Sequence, residues 1–392
     1  MSRKLGSNII VVGGSFAGIK TVWDLRSKLT TRHKITLISN KPKTVFRPSF
    51  PRVIFDDVNP EQLTMDLAKN FRGTGIDFVC ESLTSVDQSA DEITTTGGKH
   101  KFDFLILATG ARQAYEVIPG SYEYSTPLCD PSRVLESKRT ILDFREGEFY
   151  SGVGTGFTPA DGPTMEILMG LDYRLRKLGV REKARLTFIT DKEKLLPPGG
   201  PTTWKYLEAL FKKREINALL GVDLQRLDAD YLYFEDGSKK PYDLCLLIPP
   251  YRGIKELENS GLTDENGFVP VELNTMRAKK SEHSNIYAVG DAASTFGPKA
   301  AHLALMQAGV AAAHIAWRIN RKGMVPSYLP EFKFVMYLGG GQSLYMYSQW
   351  MSDGDVEVAE ASSQAERSKI RFEKLFFARR GNIGELHRRM IK

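Results

Sequence analysis

An α/β fold of alternating strands and helices, large enough for two or three domains, is predicted by three features of the sequence. The chain has 392 residues, and roughly 100 to 200 residues make a domain. Hydrophobic residues are 42% and charged residues 26%, the balance of a soluble globular protein. That balance excludes extensive disorder and a multi-span membrane protein, and no apolar run approaches the roughly 18 residues that cross a bilayer. Third, the apolar run Ile9 to Val12 enters a glycine-rich turn and then a segment with helical spacing.

Taken in order, the charged start Met1 to Leu5 is followed by a strand too short for a signal sequence, so a cytoplasmic protein is expected. The turn after Val12 is Gly13, Gly14, Ser15, Phe16, Ala17 and Gly18, and Ile19, Val22, Trp23 and Leu25 then recur as on a helix. Backbone N–H groups and the positive helix end of such a turn face a pyrophosphate, and glycine allows the close approach. Ser15 stands where the second glycine of the fingerprint usually falls, and a plain structural turn is the alternative. Lys34 to Ile38 reads as the second strand and ends where a dinucleotide fold places its ribose-binding residue. Ser39 and Asn40 stand there instead of Asp or Glu; either side chain can bond a ribose hydroxyl without a carboxylate's charge. Phe104 to Gly110 (FLILATG) is a buried strand entering a small-residue turn, Ala108, Thr109 and Gly110. Ile286 to Ala293 (IYAVGDAA) is another, ending in Gly290 and Asp291 before a helix-like stretch from Pro298 to Trp317.

Cysteine and charge exclude further classes. Cys80, Cys129 and Cys245 lack metal-ligand spacing and give no disulfide framework in so long a chain. Cys80 and Cys245 lie in apolar strand-like runs and are expected in the core. The formal net charge is +7, and residues 367–392 hold nine basic residues against Glu373 and Glu385, so the tail carries the excess. A body otherwise neutral has no distributed phosphate footprint, and nucleic acid is not an expected partner.

The three strand-turn segments resemble the flavoproteins with two dinucleotide-binding domains. In that superfamily the Asp matching Asp291 bonds the ribityl chain of FAD. The helix after it points its N-terminus at the flavin pyrimidine ring, where reduced flavin carries negative charge. Helix capping alone is the alternative for Asp291. Phe46, Arg47 and Pro48 after the second strand, Pro298 and Lys299 before the last helix, and the basic aromatic tail narrow the resemblance. They are similar to the sulfide:quinone oxidoreductases and their flavocytochrome c relatives, with type II NADH dehydrogenases as the neighbouring branch. The resemblance implies FAD as cofactor, a quinone as partner and two Rossmann-like domains, one inserted in the other. Residues 1–112 and 251–320 would form the FAD domain, residues 113–250 the second dinucleotide-binding domain, and residues 321–392 an α+β membrane-contacting region. It also implies cofactor contacts from the four turn segments, from Arg47 and from Lys299.

The second glycine turn should fall near residue 150, at Gly152, Gly154 and Gly156, but the helix begins only near Pro163. An insertion containing Pro159 lies between, so a pyrophosphate loses the helix N-terminus. Strand Arg185 to Ile189 ends in Thr190 and Asp191; NADH-binding members put an acid where Thr190 stands, which leaves NAD binding to Asp191. The sulfide enzymes use a redox cysteine pair that attacks sulfide and passes two electrons inward. Those positions fall near Ala160 and Phe334, and neither is cysteine, so sulfide oxidation by that relay is not expected and the small-molecule electron donor stays open. Cys129 matches a third family cysteine that in some members lies against the flavin 8-methyl group or bonds to it, a buried small hydrophobe being the alternative. Lys299 matches a family lysine whose charge stabilises anionic reduced flavin or quinol; a solvated lysine is the alternative. Glu166 matches a family glutamate able to carry a proton, or is a helix-terminus charge. His302 and His314 are expected as packed helical histidines.

Phe332, Phe334, Tyr337, Tyr345, Tyr347 and Trp350 surround a hairpin-like turn at Gly339 to Gly341, which suits an apolar quinone slot or plain sheet packing. Phe372, Leu375 and Phe376, then Ile383, Leu386 and Met390, recur at helical spacing among basic residues. An interfacial helix on anionic lipid has that pattern; packing on its own domain, or on a twin subunit in a homodimer, is the alternative. On the lipid reading, removing the residues after Ser368 leaves FAD bound. The expected function is FAD-dependent quinone reduction, peripheral on the inner face of the cell membrane. Type II NADH:quinone oxidoreductase and a flavin-retaining assembly protein without turnover are the alternatives.

Overall fold

The computed structural model describes residues 6–56, 58–128, 130–156, 161–295, 297–349 and 357–384. The N-terminal apolar run forms β1 (Asn8–Val12), which enters α1 (Phe16–Lys28) and returns through β2 (Lys34–Ser39). A short helix α2 (Phe50–Phe55), an edge strand β3 (Asp77–Cys80) and the buried β4 (Phe104–Leu107) follow. The next sheet is made of β5 (Gly147–Val153), α3 (Asp161–Leu178), β6 (Ala184–Ile189), β7 (Ile216–Leu219) and β8 (Leu244–Ile248). The chain then returns to the first sheet with β9 (Ile286–Ala288) and the long helix α4 (Ala301–Asn320). It closes with the antiparallel strands β10 (Glu331–Gly339), β11 (Gln342–Gln349) and β12 (Glu357–Ser362), and with helix α5 (Ser363–Ala378).

In the eight-stranded first sheet the strands run β9-β4-β1-β2-β3 and are parallel. Three short strands from residues 269–294 extend the β9 side. β1 and β4 are interior strands of a parallel sheet and are buried along their length, which is why they read as unbroken apolar runs. The register places Val12 opposite both Ile38 and Leu107, and Leu107 opposite Ala288. Four strands therefore end at one level, and the turns after them emerge side by side. The second sheet is four-stranded and parallel, in the order β7-β6-β5-β8. The chain passes between the sheets at Arg112–Gln113 and Tyr251–Arg252, which pair antiparallel.

Two expectations are corrected here. Cys80 is exposed, because β3 is the last strand of its sheet and Cys80 is its final residue, whereas Cys245 in β8 is fully buried. The apolar stripe of α5 does not face a surface: Phe372, Phe376 and Ile383 are buried. The Phe376 ring lies 5.0 Å from Phe16 and 5.6 Å from Phe46, and Phe372 lies 5.6 Å from Phe46. Each such ring contributes roughly 1.5 to 3 kcal/mol by burial. The chain therefore supplies its own apolar partner for the helix, and a cut after Ser368 removes part of the first domain's core. Arg371, Lys374, Arg379 and Arg380 stay exposed. Leu386, Met390, Trp350, Cys129 and Ala160 lie outside the described residues. Among the described residues no helix is long and apolar enough to cross a membrane.

Candidate active site

A cavity of about 1680 Å³ opens where the strand ends converge. Gly13, Gly14, Ser15, Phe16, Ala17, Ser39, Asn40, Arg47, Ala108, Thr109, Gly110, Gly290, Asp291 and Lys299 all line it. Gly18 does not; a Cβ there would stand 1.8 Å from the Gly13 carbonyl oxygen, so it lets α1 pack closely on its own turn. Gly13 has φ +120°, and a Cβ on it would meet the Ala108 carbonyl oxygen at 2.0 Å. No other residue fits. A Cβ on Gly14 would stand 2.7 Å from Ser39 Oγ, which keeps the turn against the end of β2. Ser15 precedes α1 in extended conformation, its side chain makes no capping bond, and no acidic residue occupies the first turn. The end of α1 thus presents N–H groups and positive potential to the cavity.

Two polar features in this part of the cavity fit FAD. Thr109 Oγ1 is buried without a hydrogen-bond partner among the described residues. The Asp291 carboxyl is pushed up by burial and pulled back by the charges of Lys299 and Arg47. Lys299 donates to the Ala293 carbonyl and lies 4.2 Å over the Phe268 ring; burial lowers its ammonium to about 8. Gly290 N–H donates to Gln307 Oε1 at 2.7 Å, and the Gln307 amide donates to Tyr328 at 3.1 Å, which fixes Gln307 as a brace behind the turn. His302 Nε2 pairs with the Glu331 carbonyl at 2.9 Å, and His314 Nδ1 with the Tyr287 hydroxyl at 3.0 Å, so both histidines are engaged within the fold.

Glu166, from α3, stands in the opposite wall. It is buried, accepts from Lys369 Nζ at 2.6 Å and from Tyr337 N–H at 2.8 Å. Burial pushes its carboxyl up while the Lys369 charge pulls it down. Lys369 was legible in the sequence only as tail charge; its signal is that it precedes Phe372 and Phe376 by three and seven residues, on the same inner stripe of α5. Phe332, Phe334 and Phe372 give this wall its apolar character. Phe334 packs on the first turn of α3, where a Cβ on Gly162 would stand 2.5 Å from its ring.

The second sheet closes the cavity with two charges that sequence reasoning missed, Asp161 and Lys192, beside the Asp191 it had singled out. Asp161 begins α3, is buried, and its Oδ1 has no hydrogen-bond partner among the described residues; Lys192 Nζ faces it at 3.6 Å. Burial raises its carboxyl to about 6. Lys192 also lies 3.2 Å from Asp191, whose Oδ2 accepts from Gly156 N–H at 3.0 Å. Leu128 and Asp130, the chain neighbours of Cys129, both line the cavity.

Two parallel sheets, each ending in a glycine turn at one shared cavity, define the class of oxidoreductases with paired dinucleotide-binding domains. The chain belongs to the pyridine nucleotide-disulphide oxidoreductase family, whose model matches residues 7–308. It is 29% identical over 296 residues to a sulfide-quinone reductase of Aquifex aeolicus, covering 73% of this chain and 68% of that one. It is 23% identical over 340 residues to a type II NADH:quinone oxidoreductase of Staphylococcus epidermidis, covering 80% and 82%. The solved sulfide:quinone oxidoreductase of Aquifex aeolicus superposes with a TM-score of 0.88 at 25% identity, over 96% of this chain and 92% of that one. The protein is accordingly a flavin-dependent oxidoreductase with FAD as its cofactor.

Proposed function

We propose that the protein is a FAD-dependent quinone reductase of the sulfide:quinone oxidoreductase type whose electron donor is neither a nicotinamide dinucleotide nor sulfide handled by a cysteine pair. One observation carries the reading: a single cavity joins the glycine turns of the first domain to an aromatic wall holding the Glu166–Lys369 pair. The N–H groups of Gly13 to Ser15 and the end of α1 hold the pyrophosphate, Ser39 and Asn40 the ribose, and Thr109 and Asp291 further polar groups of the cofactor. Bound FAD supplies two-electron acceptance. Lys299 and Arg47 place positive charge beside Asp291, and Glu166 holds a proton where a quinone ring would lie among Phe332, Phe334 and Phe372.

The second domain argues against NADH. A pyrophosphate there would have to displace Asp191 from the Gly156 N–H and lie beside Asp161, with Lys192 alone to offset both carboxylates. At Phe334 a phenyl ring stands in place of the second relay thiol. The donor is a small molecule. Quinones are carried in lipid, and the exposed Arg371, Lys374, Arg379 and Arg380 support peripheral attachment to an anionic inner membrane face.

The test is an anaerobic flavin spectrum of the purified holoenzyme. NADH, NADPH and sulfide should each leave the oxidised flavin band unchanged on the seconds scale, while dithionite-reduced flavin should reoxidise when a soluble quinone is added. Flavin that stays reduced with every quinone tried identifies a flavin-retaining protein without turnover. Rapid bleaching by NADH identifies the type II NADH dehydrogenase reading.

A further inference from the structure

Behind the Glu166–Lys369 pair lies a second layer of buried charge. Glu366, one turn before Lys369 on α5, is 4% exposed. Its Oε2 accepts from the Ser343 hydroxyl, and its Oε1, without a hydrogen-bond partner among the described residues, faces Arg52 Nε at 3.8 Å. Arg52, from α2, is held elsewhere: it donates to Glu373 Oε2 at 2.7 Å, and the same oxygen accepts from Ser49. Tyr337 closes the group, its N–H on Glu166 and its hydroxyl on Asp56 at 2.6 Å, where Asp56 reaches the surface. From β5, the Ser151 hydroxyl donates to the Thr164 carbonyl at 3.1 Å. The carboxylates Glu166, Glu366, Glu373 and Asp56 thus outnumber the cations Lys369 and Arg52, and Glu366 acts electrostatically on Glu166.

We propose that Glu366 is a positioning residue for the quinone half-reaction: its buried, incompletely paired charge keeps a proton on Glu166 at the cavity wall. Burial holds the proton on Glu166 and Lys369 pulls it off; Glu366, one helical turn before Lys369, adds to the first and so shifts the balance that decides whether Glu166 is loaded. Arg52 sets the strength of Glu366 in turn, because Glu373 competes for it. The proposal rests on the quinone-reductase reading for its purpose, and not for the protonation itself.

The experiment is an infrared pH titration of the oxidised holoenzyme without quinone, following the carbonyl band of a protonated buried carboxyl that is absent in Glu166→Gln. Glu366→Gln removes the charge and keeps an acceptor for Ser343; the band should then titrate about one pH unit lower than in the native protein. Arg52→Gln should move it upward, and Ser343→Ala, which removes a hydrogen bond and no charge, should leave it in place. The alkaline limb of quinone-driven flavin reoxidation should move with the band in each variant. A band that titrates as in the native protein in both Glu366→Gln and Arg52→Gln, or that moves equally in Ser343→Ala, overturns the proposal, as does the absence of any Glu166 band. Bands that move as stated while quinone never reoxidises the flavin overturn the quinone-reductase reading alone.

Discussion

At the scale of single residues, the glycine turns were legible because they impose conditions few side chains meet. Gly13 is written into the sequence by the Ala108 carbonyl that no Cβ can approach. Asp161 and Lys369 were not legible, because a charge at a helix start or in a basic tail looks solvated until the fold covers it. The cost of covering Asp161 is measurable. Its carboxyl is raised to about 6 from an ordinary 3.8, burial outweighing Lys192. Between those values the folded protein binds more protons than the unfolded chain, so this group's contribution to stability falls as pH rises through the window, and its full cost is present above about 6. Asp161→Asn should therefore stabilise the protein at pH 8 by up to roughly 3 kcal/mol, less what Lys192 loses, and should change nothing near pH 3.5; denaturant midpoints at the two pH values check both limits. Asp291→Ala should lower flavin occupancy, because a charge-assisted acceptor worth roughly 1.5 to 3 kcal/mol is lost. Retained flavin absorbance per chain after gel filtration reads the outcome, and full occupancy in the variant would remove Asp291 from the cofactor site.

At the scale of elements, strands and helices followed their periodicities: α4 spans Ala301–Asn320 where helical spacing runs from Pro298 to Trp317, and β10 and β11 flank the turn at Gly339 to Gly341. Helix α5 shows what periodicity leaves open. A stripe of Phe372, Leu375 and Phe376 requires an apolar neighbour, yet lipid, a twin subunit and the chain's own core satisfy it equally. Phe16 and Phe46, more than three hundred residues upstream, are the neighbours found, and no local pattern announces a contact so distant in sequence. Two truncations separate the roles. A chain ending at Ser368 lacks Lys369, Phe372, Phe376 and Ile383 and should lose its flavin and its cooperative unfolding. A chain ending at Gly384 should keep both, and a fall in its sedimentation with anionic vesicles at low salt would assign membrane contact to the last residues. Equal flavin content in the two truncated chains would show that α5 adds nothing to the core.

At the scale of the whole molecule, the paired-domain architecture was read from turns far apart in the sequence, whereas the way the second domain uses its glycine turn was not. Asp191 on the Gly156 N–H and Asp161 beside Lys192 are contacts between segments that only the folded sheet brings together. The proposed exclusion of dinucleotides makes a direct prediction. ADP-ribose, titrated calorimetrically, should give no heat with the native protein, and the double variant Asp161→Asn, Asp191→Asn should gain measurable binding. Tight binding to the native protein would reverse that assignment.

The adjacency of β4 and β9 in the first sheet also fixes an order of events during synthesis. Leu107 leaves the ribosome long before Ala288, its partner across the strand pair, and every residue of the second sheet is made in between. All four strands of the second sheet can pair once Ile248 has emerged, although its core still awaits Phe332, Met336 and Leu344, while β1, β2 and β4 wait with one flank unpaired. An unpaired parallel edge of apolar strands is an adhesive surface. The half-made first domain is thus the stage at which this protein is most exposed to aggregation and to chaperones. Flavin capture should come last, because Gly290, Asp291 and Phe372 line the cavity and are made late. Nascent chains arrested near residue 290 should accordingly contain a second sheet more protease-resistant than residues 8–107 and no flavin, and equal protection of residues 8–107 at that length would disprove the order.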